Sequence, residues 1–211
     1  MTPTPSPDRS CGGVVVRPSR VRNPYTIGLG LDGLVTSLLR LTAVCSGNIC
    51  RSPMAEYVLR DAVDRAGLGH AIVVDSAGLG AWHIGDGADR RSLQVLARHG
   101  YDGSAHRVSQ ITRSWFERPD APDLLLAMDS SHHDALLRMA PDADVRLMRS
   151  FDPALADVAG ADLDVPDPFY GHGDGFEQVL QMLERATPGV LTYLRGQIKP
   201  RASRALSLIH I

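Results

Sequence analysis

Cysteine is scarce in this sequence: Cys11, Cys45 and Cys50 are the only three in 211 residues. Three unevenly spaced thiols cannot build a disulfide framework. They point to a reducing compartment such as the cytoplasm, where a cysteine is kept for reactivity or for packing. A basic excess is missing as well. The 22 Lys and Arg face 24 Asp and Glu, and a formal charge of −2 gives no reason to expect nucleic acid as a partner. Long uninterrupted apolar runs are also absent. The nearest approach, Ile27 to Val44, is broken by Asp32 and Arg40 and weakened by glycines, so no membrane span is expected. That stretch follows Arg17, Arg20 and Arg22 and ends at Cys45, which outlines a lipoprotein signal. Bulky Val44 opposes it, because a signal peptidase wants a small residue there. No internal repeat is visible.

What is present suits one ordinary domain with tails. A hydrophobic fraction of 44% and a charged fraction of 22% are those of a soluble globular protein. Residues 1–36, rich in Pro, Ser, Gly and Arg, show no sustained period and read as a mostly disordered extension or a mistranslated start. Leu38 to Val44 is a short apolar run bounded by a turn, which suits a buried strand. Pro53 then fits a first helical position, with Ser52 as N-cap. Met54, Ala55, Val58, Leu59, Ala62, Val63 and Ala66 lie at helical spacing, and Gly67 ends the helix.

Further strands are expected at Ala71–Ser76, Asp123–Met128 and Asp144–Met148. Helices are expected near Ala88–His99, Thr112–Glu117 and Ser131–Met139, and a final one carries Phe176, Val179, Leu180 and Leu183 on a shared face. Strands alternating with helices predict an α/β fold: a doubly wound, four-stranded parallel sheet with helices on both faces. In such sheets a ligand sits beyond the carboxyl ends of the strands, where Cys45 falls.

Strand end, tight loop and helix start are compressed into Cys45-Ser-Gly-Asn-Ile-Cys-Arg-Ser52. Backbone N–H groups of such a loop converge, and the helix N-terminus adds partial positive charge. Gly47 and Asn48 are residue types that tolerate positive φ, which a closed anion-binding loop needs. The Gly-Lys-Ser/Thr ending of an ATP-binding loop is lacking. The loop begins instead with a thiol and ends with a guanidinium.

The donors that hold a phosphate also stabilise a thiolate at Cys45, and the Ser52 hydroxyl is placed to donate to it. Arg51 can grip two phosphoryl oxygens with its fork. Phosphoryl transfer is mostly positioning plus electrostatics, so this constellation suffices without metal or other cofactor. Cys-x5-Arg alone arises by chance in roughly one chain in ten of this size. The flanking strand, the Gly-Asn pair, Ser-Pro and the amphipathic helix carry the reading beyond chance.

Val44-Cys-Ser-Gly-Asn-Ile-Cys-Arg-Ser-Pro-Met-Ala-Glu56 resembles the signature loop of the low-molecular-weight protein tyrosine phosphatases. Matches follow in order at Asp75-Ser-Ala-Gly78, Trp82-His-Ile-Gly85, Arg98-His-Gly100, His106-Arg107, Ala127-Met-Asp129 and Asp167-Pro-Phe-Tyr-Gly171. They cover about residues 38–196, most like actinobacterial members, and define a phosphatase domain over residues 37–197. The resemblance implies a metal-free, two-step reaction on phosphotyrosine proteins. Cys45 would form a phosphocysteine, and Asp167 would protonate the leaving phenol and then activate water.

Composition alone leaves Asp152, Asp157, Asp162, Asp164 and Asp174 beside Asp167; the aromatic tail after Pro168 singles Asp167 out. By the same resemblance the loop residues Ser46, Gly47, Asn48, Ile49, Cys50 and Ser52 bind substrate, and Ser76 hydrogen-bonds Asn48 to keep the loop in shape. Trp82, with Ile84, and Tyr170 wall the phosphotyrosine slot, while His99, His106 and Asp129 support. A thiol like Cys50 forms a reversible disulfide with the nucleophile in some members, and a buried inert thiol is the equal alternative.

Three departures stand out: Phe169 where most tyrosine-specific members carry tyrosine, Leu79 for a more usual threonine, and Ser46 at a variable place. Protein arginine phosphatases share the fold and loop but carry threonine at the place of Ile49 and a glycine at that of Tyr170; their phenylalanine at the place of Phe169 leans the other way. Pocket shape therefore favours phosphotyrosine. Thioredoxin-coupled arsenate reductases need downstream cysteines, and none follows Cys50. A metal-binding module using His132, His133 or His172 fits no zinc spacing, and a non-catalytic phosphate-binding module would not need both Cys45 and Asp167. Phosphotyrosine proteins, a bacterial tyrosine kinase or, in a pathogen, host proteins, are the partners expected of a monomer that is cytoplasmic or exported without a signal peptide. Residues 198–211, ending Leu-Ser-Leu-Ile-His-Ile, resemble translated adapter sequence and receive no role.

Overall fold

The computed structural model describes residues 38–157, 160–171 and 174–198. Expectations for residues 1–36, for His172 and for the tail after Ile198 fall outside them. Strands β1 (Leu39–Cys45), β2 (Ile72–Gly78), β3 (Leu124–Ala127) and β4 (Val145–Leu147) form one sheet in the order β2-β1-β3-β4. All three pairings are parallel, as the alternation of strands and helices predicts.

The chain leaves β1 toward β2 on one side and returns to β3 on the other. A crevice therefore opens at the carboxyl end of β1, the place where ligands bind in such sheets. Helices α1 (Arg51–Arg65), α2 (Arg90–Arg98), α3 (Ser130–Met139) and α4 (Gly175–Gln197) cover the faces.

Alternation along the strands divides the core in two. Leu41, Ala43, Leu124 and Leu126 point toward Met54 and Leu59 of α1 and Val179, Leu180 and Leu183 of α4. Their neighbours Val44, Leu125 and Ala127 point the other way, onto Leu136 of α3 and Ile111. Both faces of β3 are thus buried, which is why it reads as a continuous apolar run, whereas β1 carries Arg40 and the buried Thr42 on its second face.

Residues 113–117 form a short 3-10 turn rather than an α-helix, with Trp115 and Phe116 packed against the second core. No helix among the described residues is long and apolar enough to cross a membrane.

Candidate active site

Residues 46–50 link the end of β1 to the start of α1. The helix begins at Arg51, earlier than Pro53 suggests, and Cys50 is its N-cap without a side-chain capping bond. Ser52 does not cap because its hydroxyl is used elsewhere: its Oγ lies 3.0 Å from Cys45 Sγ and accepts a 2.9 Å bond from Asn48 Nδ2. Pro53 is tolerated one turn in, since first-turn N–H groups have no partner within a helix anyway.

Of the two residues expected to take positive φ, Asn48 does so (φ 55) and Gly47 does not. Gly47 instead lies under His83, whose ring carbon would be 3.4 Å from an added Cβ. Gly78, at the end of β2, has the tighter constraint. A Cβ there would meet backbone atoms of Ser46, Gly47 and Asn48 at 3.0–3.1 Å, so only glycine lets the loop rest on the sheet.

The carbonyls of the loop are taken up by donors around it. Cys45 O accepts from Leu79 N (2.9 Å), Ser46 O from Gly80 N (2.9 Å) and Ile49 O from Asp89 N (2.8 Å). Asn48 O pairs with His106 Nε2 at 2.9 Å, and Cys50 O with Met54 N at 3.2 Å. With its carbonyls facing outward, the loop turns N–H groups inward, and Asn48 N comes within 3.3 Å of Cys45 Sγ.

A buried polar network fixes this shape. Asn48 Nδ2 also reaches Ser76 Oγ (2.8 Å), and Asn48 Oδ1 accepts from Ser109 N (3.0 Å). Ser76 Oγ donates in turn to the carboxylate of Glu56. Glu56 is buried, and its charge is paired with Arg60 at 2.7 Å.

Arg51 is only 4% exposed although it faces the loop. Its Nη1 donates to Asp129 Oδ2 (2.7 Å) and to the carbonyl of Val165 (3.1 Å). Its Nη2 lies 3.3 Å from Asp167 Oδ2. Burial works against the charge on Asp129, but hydrogen bonds from His132 and Ser131 outweigh it and hold the carboxyl far below the usual carboxylate range. His132 Nδ1 lies 2.9 Å from Asp129 Oδ1 yet poorly aligned with it, and the better-formed bonds come from His132 N (2.9 Å) and Ser131 Oγ (2.6 Å).

One cavity of about 120 Å³ gathers most of the expected residues. Cys45, Ser46, Gly47, Ile49, Cys50 and Arg51 form its floor. Trp82 and His83 stand on one side, with Asp167, Phe169 and Tyr170 on the other. Asn48, Ser52 and Ser76 lie behind the loop, their side chains buried in the network. Trp82 and Tyr170 are 74% and 83% exposed, so these rings are walls and not core. The Trp82 ring rests on Gly80, which leaves no room there for a side chain. Of the carboxylates left open by composition, Asp167 alone lines this cavity. Asp152 accepts from Ala154 N and Arg185, and Asp164 from Ser130.

Sequence reasoning did not find Glu56, or the part played by His132, whose Nε2 is 2.8 Å from the hydroxyl of Ser46. His132 is buried on α3 and bound to the loop. The available signal was positional. Asp129 and His132 follow β3, at the same carboxyl edge of the sheet as Cys45.

A family model described as low molecular weight phosphotyrosine protein phosphatase matches residues 40–200. The chain belongs to this family. A low molecular weight protein-tyrosine-phosphatase of Streptomyces coelicolor is 54% identical over 168 residues, covering 78% of this chain and 98% of that protein. The crystal structure of a protein tyrosine phosphatase from Entamoeba histolytica, with Hepes in the active site, is similar at TM-score 0.67 and 31% identity over 75% of this chain and 98% of its own. A Drosophila arginine phosphatase reaches TM-score 0.64 at 27% identity over 75% of this chain and 98% of its own.

Proposed function

We propose that this protein hydrolyses protein phosphotyrosine through a phosphocysteine intermediate. The observation that carries the reading is the convergence of a thiol, a guanidinium and a carboxylate on one small cavity between aromatic walls. The phosphoryl group would sit in the loop, its oxygens held by backbone N–H groups and by Arg51. Because Nη1 of Arg51 is committed to Asp129 and Val165, Nε is the donor left for the substrate, joined by Nη2 once a phosphoryl oxygen takes the place of its contact with Asp167.

In the first step Cys45 Sγ attacks phosphorus and a P–S bond forms as the P–O bond to the phenol breaks. Asp167 gives its proton to the departing oxygen. In the second step a water molecule gives a proton to Asp167 and attacks phosphorus. The P–S bond breaks, releasing phosphate and restoring the thiolate. Ser52 Oγ, 3.0 Å from Sγ, donates to that thiolate while accepting from Asn48. The exposed rings of Trp82 and Tyr170 supply an apolar slot for the phenyl group.

Substrates on this reading are phosphotyrosine proteins, with a bacterial tyrosine kinase a candidate among them. Cys45 and Cys50 are free thiols, which suits a reducing compartment such as the cytoplasm.

Burial first, then the charges of Asp89 and Cys45, pushes the Cys50 thiol up to about 12. A thiol raised so far stays protonated at neutral pH, and a protonated thiol is a poor nucleophile. Brief treatment with iodoacetamide at pH 7.5, followed by peptide mapping, should show an adduct on Cys45 and none on Cys50. Equal labelling of the two would contradict this division of roles.

A second reading, hydrolysis of phosphoarginine, is favoured by Phe169 and by the likeness to the Drosophila arginine phosphatase. Ile49 lines the cavity, and its branched side chain there would favour a flat phenyl ring over a guanidinium. The test is kcat/KM for a phosphotyrosine peptide and a phosphoarginine protein side by side, with EDTA present. We expect phosphotyrosine to be preferred, and Ile49→Thr to shift the ratio by roughly 10-fold or more toward phosphoarginine, since pocket changes of this size are worth about 1–3 kcal/mol. Preference of the unaltered protein for phosphoarginine would overturn the substrate assignment.

A further inference from the structure

We propose that Arg91 is a positioning residue that holds the Asp167 segment against the nucleophile loop, a role that rests on Asp167 being the proton donor. Asp167 lies on a stretch without strand or helix, and its side chain is 39% exposed. Such a carboxylate needs a support to stay at the distance of a reacting oxygen. On the α4 side that support is Arg91, near the start of α2.

Its Nη1 donates to the carbonyl of Phe169 at 3.1 Å. Its guanidinium carbon stands 5.3 Å from the centre of the Phe169 ring and 4.6 Å from that of Phe176 on α4. The other edge of the fork is held by Asp89, through Nε to Oδ1 (3.1 Å) and Nη2 to Oδ2 (2.9 Å). Asp89 is itself tied to the loop, its backbone N–H donating to Ile49 O at 2.8 Å. A continuous path of contacts thus runs from Ile49 through Asp89 and Arg91 to Phe169, two residues beyond Asp167.

Phe169 suits this role without a hydroxyl, because what the guanidinium uses is its ring face and its backbone carbonyl. Lysine cannot replace Arg91, since a single ammonium lacks the planar fork that reaches Asp89 and the carbonyl together. The side chain of Arg91 is 43% exposed, so its ion pair adds little to stability and its removal should leave the fold intact. The effect to look for is therefore in proton donation.

The test compares Arg91→Ala, Arg91→Lys and Asp167→Asn on two substrates. Phenyl phosphate needs a proton on its departing oxygen, whereas 2,4-dinitrophenyl phosphate hardly does. For Arg91→Ala, kcat/KM should fall by roughly 10- to 100-fold on phenyl phosphate, the scale of a misplacement near 1 Å, and by less than about 3-fold on the dinitrophenyl ester. Arg91→Lys should follow Arg91→Ala, and Asp167→Asn should show the same split more strongly. Melting temperatures close to that of the unaltered protein would confirm that the variants fold. A split in Asp167→Asn with no loss, or an equal loss on both esters, in Arg91→Ala would overturn the role of Arg91 alone. No split in Asp167→Asn would overturn Asp167 as proton donor, and the role of Arg91 with it.

Discussion

Substituting Cys45 by serine is expected to abolish phosphotyrosine hydrolysis, with kcat/KM falling by at least about 10⁴-fold, the scale seen when a covalent nucleophile is removed. The two side chains have nearly the same shape, so the buried position at the end of β1 accepts either. What changes is the attacking atom. The inward N–H of Asn48 and the hydroxyl of Ser52 lie against the same position, but a serine hydroxyl there is a far weaker nucleophile than a cysteine sulfur. The phosphate cradle does not depend on the sulfur. Cys45→Ser should therefore still bind a phosphotyrosine peptide, and titration calorimetry would show it. Residual turnover near the unaltered rate would mean that water, not Cys45, attacks phosphorus.

Asp167→Asn is expected to lower kcat by roughly 10²- to 10⁴-fold on phosphotyrosine, the range typical of a positioned general acid. On the proposed mechanism both steps should suffer, because the same group would give a proton in the first and take one in the second. Rapid-quench measurement with a ³²P-labelled peptide would show slow formation of the phosphoenzyme as well as its slow decay. Asparagine retains the side chain's volume and its contact with Arg51, 3.3 Å away, so a loss of this size would belong to the proton. A change of less than about 3-fold would move the proton donor elsewhere. Neither Asp152 nor Asp164 would be a ready substitute. Asp152 is buried, and both already accept hydrogen bonds away from the cavity.

The nucleophile loop was legible in the sequence because its parts are contiguous. A buried strand, a tight turn and an apolar helix face occupy neighbouring residues, and each leaves its own local pattern. The parallel sheet was legible for a similar reason, since Leu124 to Ala127 is apolar on both faces and β1 keeps Leu39, Leu41, Ala43 and Cys45 on one. Asp167 was distinguishable from nearby carboxylates only through resemblance to a family. Apart from the aromatic tail after Pro168, nothing local separates it from Asp164, and the physical difference is a cavity assembled from distant segments. Asp129 was found only through the same resemblance, and Glu56, His132 and Arg91 were harder still. Their partners are far along the chain: 78 residues separate Arg51 from Asp129, 86 separate Ser46 from His132, and 78 separate Arg91 from Phe169. The capping roles of Ser52 and Pro53 were misread because Ser52 answers to Cys45 and Asn48, neither of which a local rule consults.

The outward carbonyls of the loop have a consequence for how this protein can change. They are bound by the ends of β2, by α1, by the start of α2 and by His106, so the loop has no shape of its own apart from the assembled domain. A damaging substitution far away should reduce the share of molecules that are active and leave the properties of each active molecule unaltered. The rings of Trp82 and Tyr170 stand under the opposite rule, largely in solvent. Substitutions at those walls should therefore alter substrate choice while leaving the loop's shape and the fold unaltered.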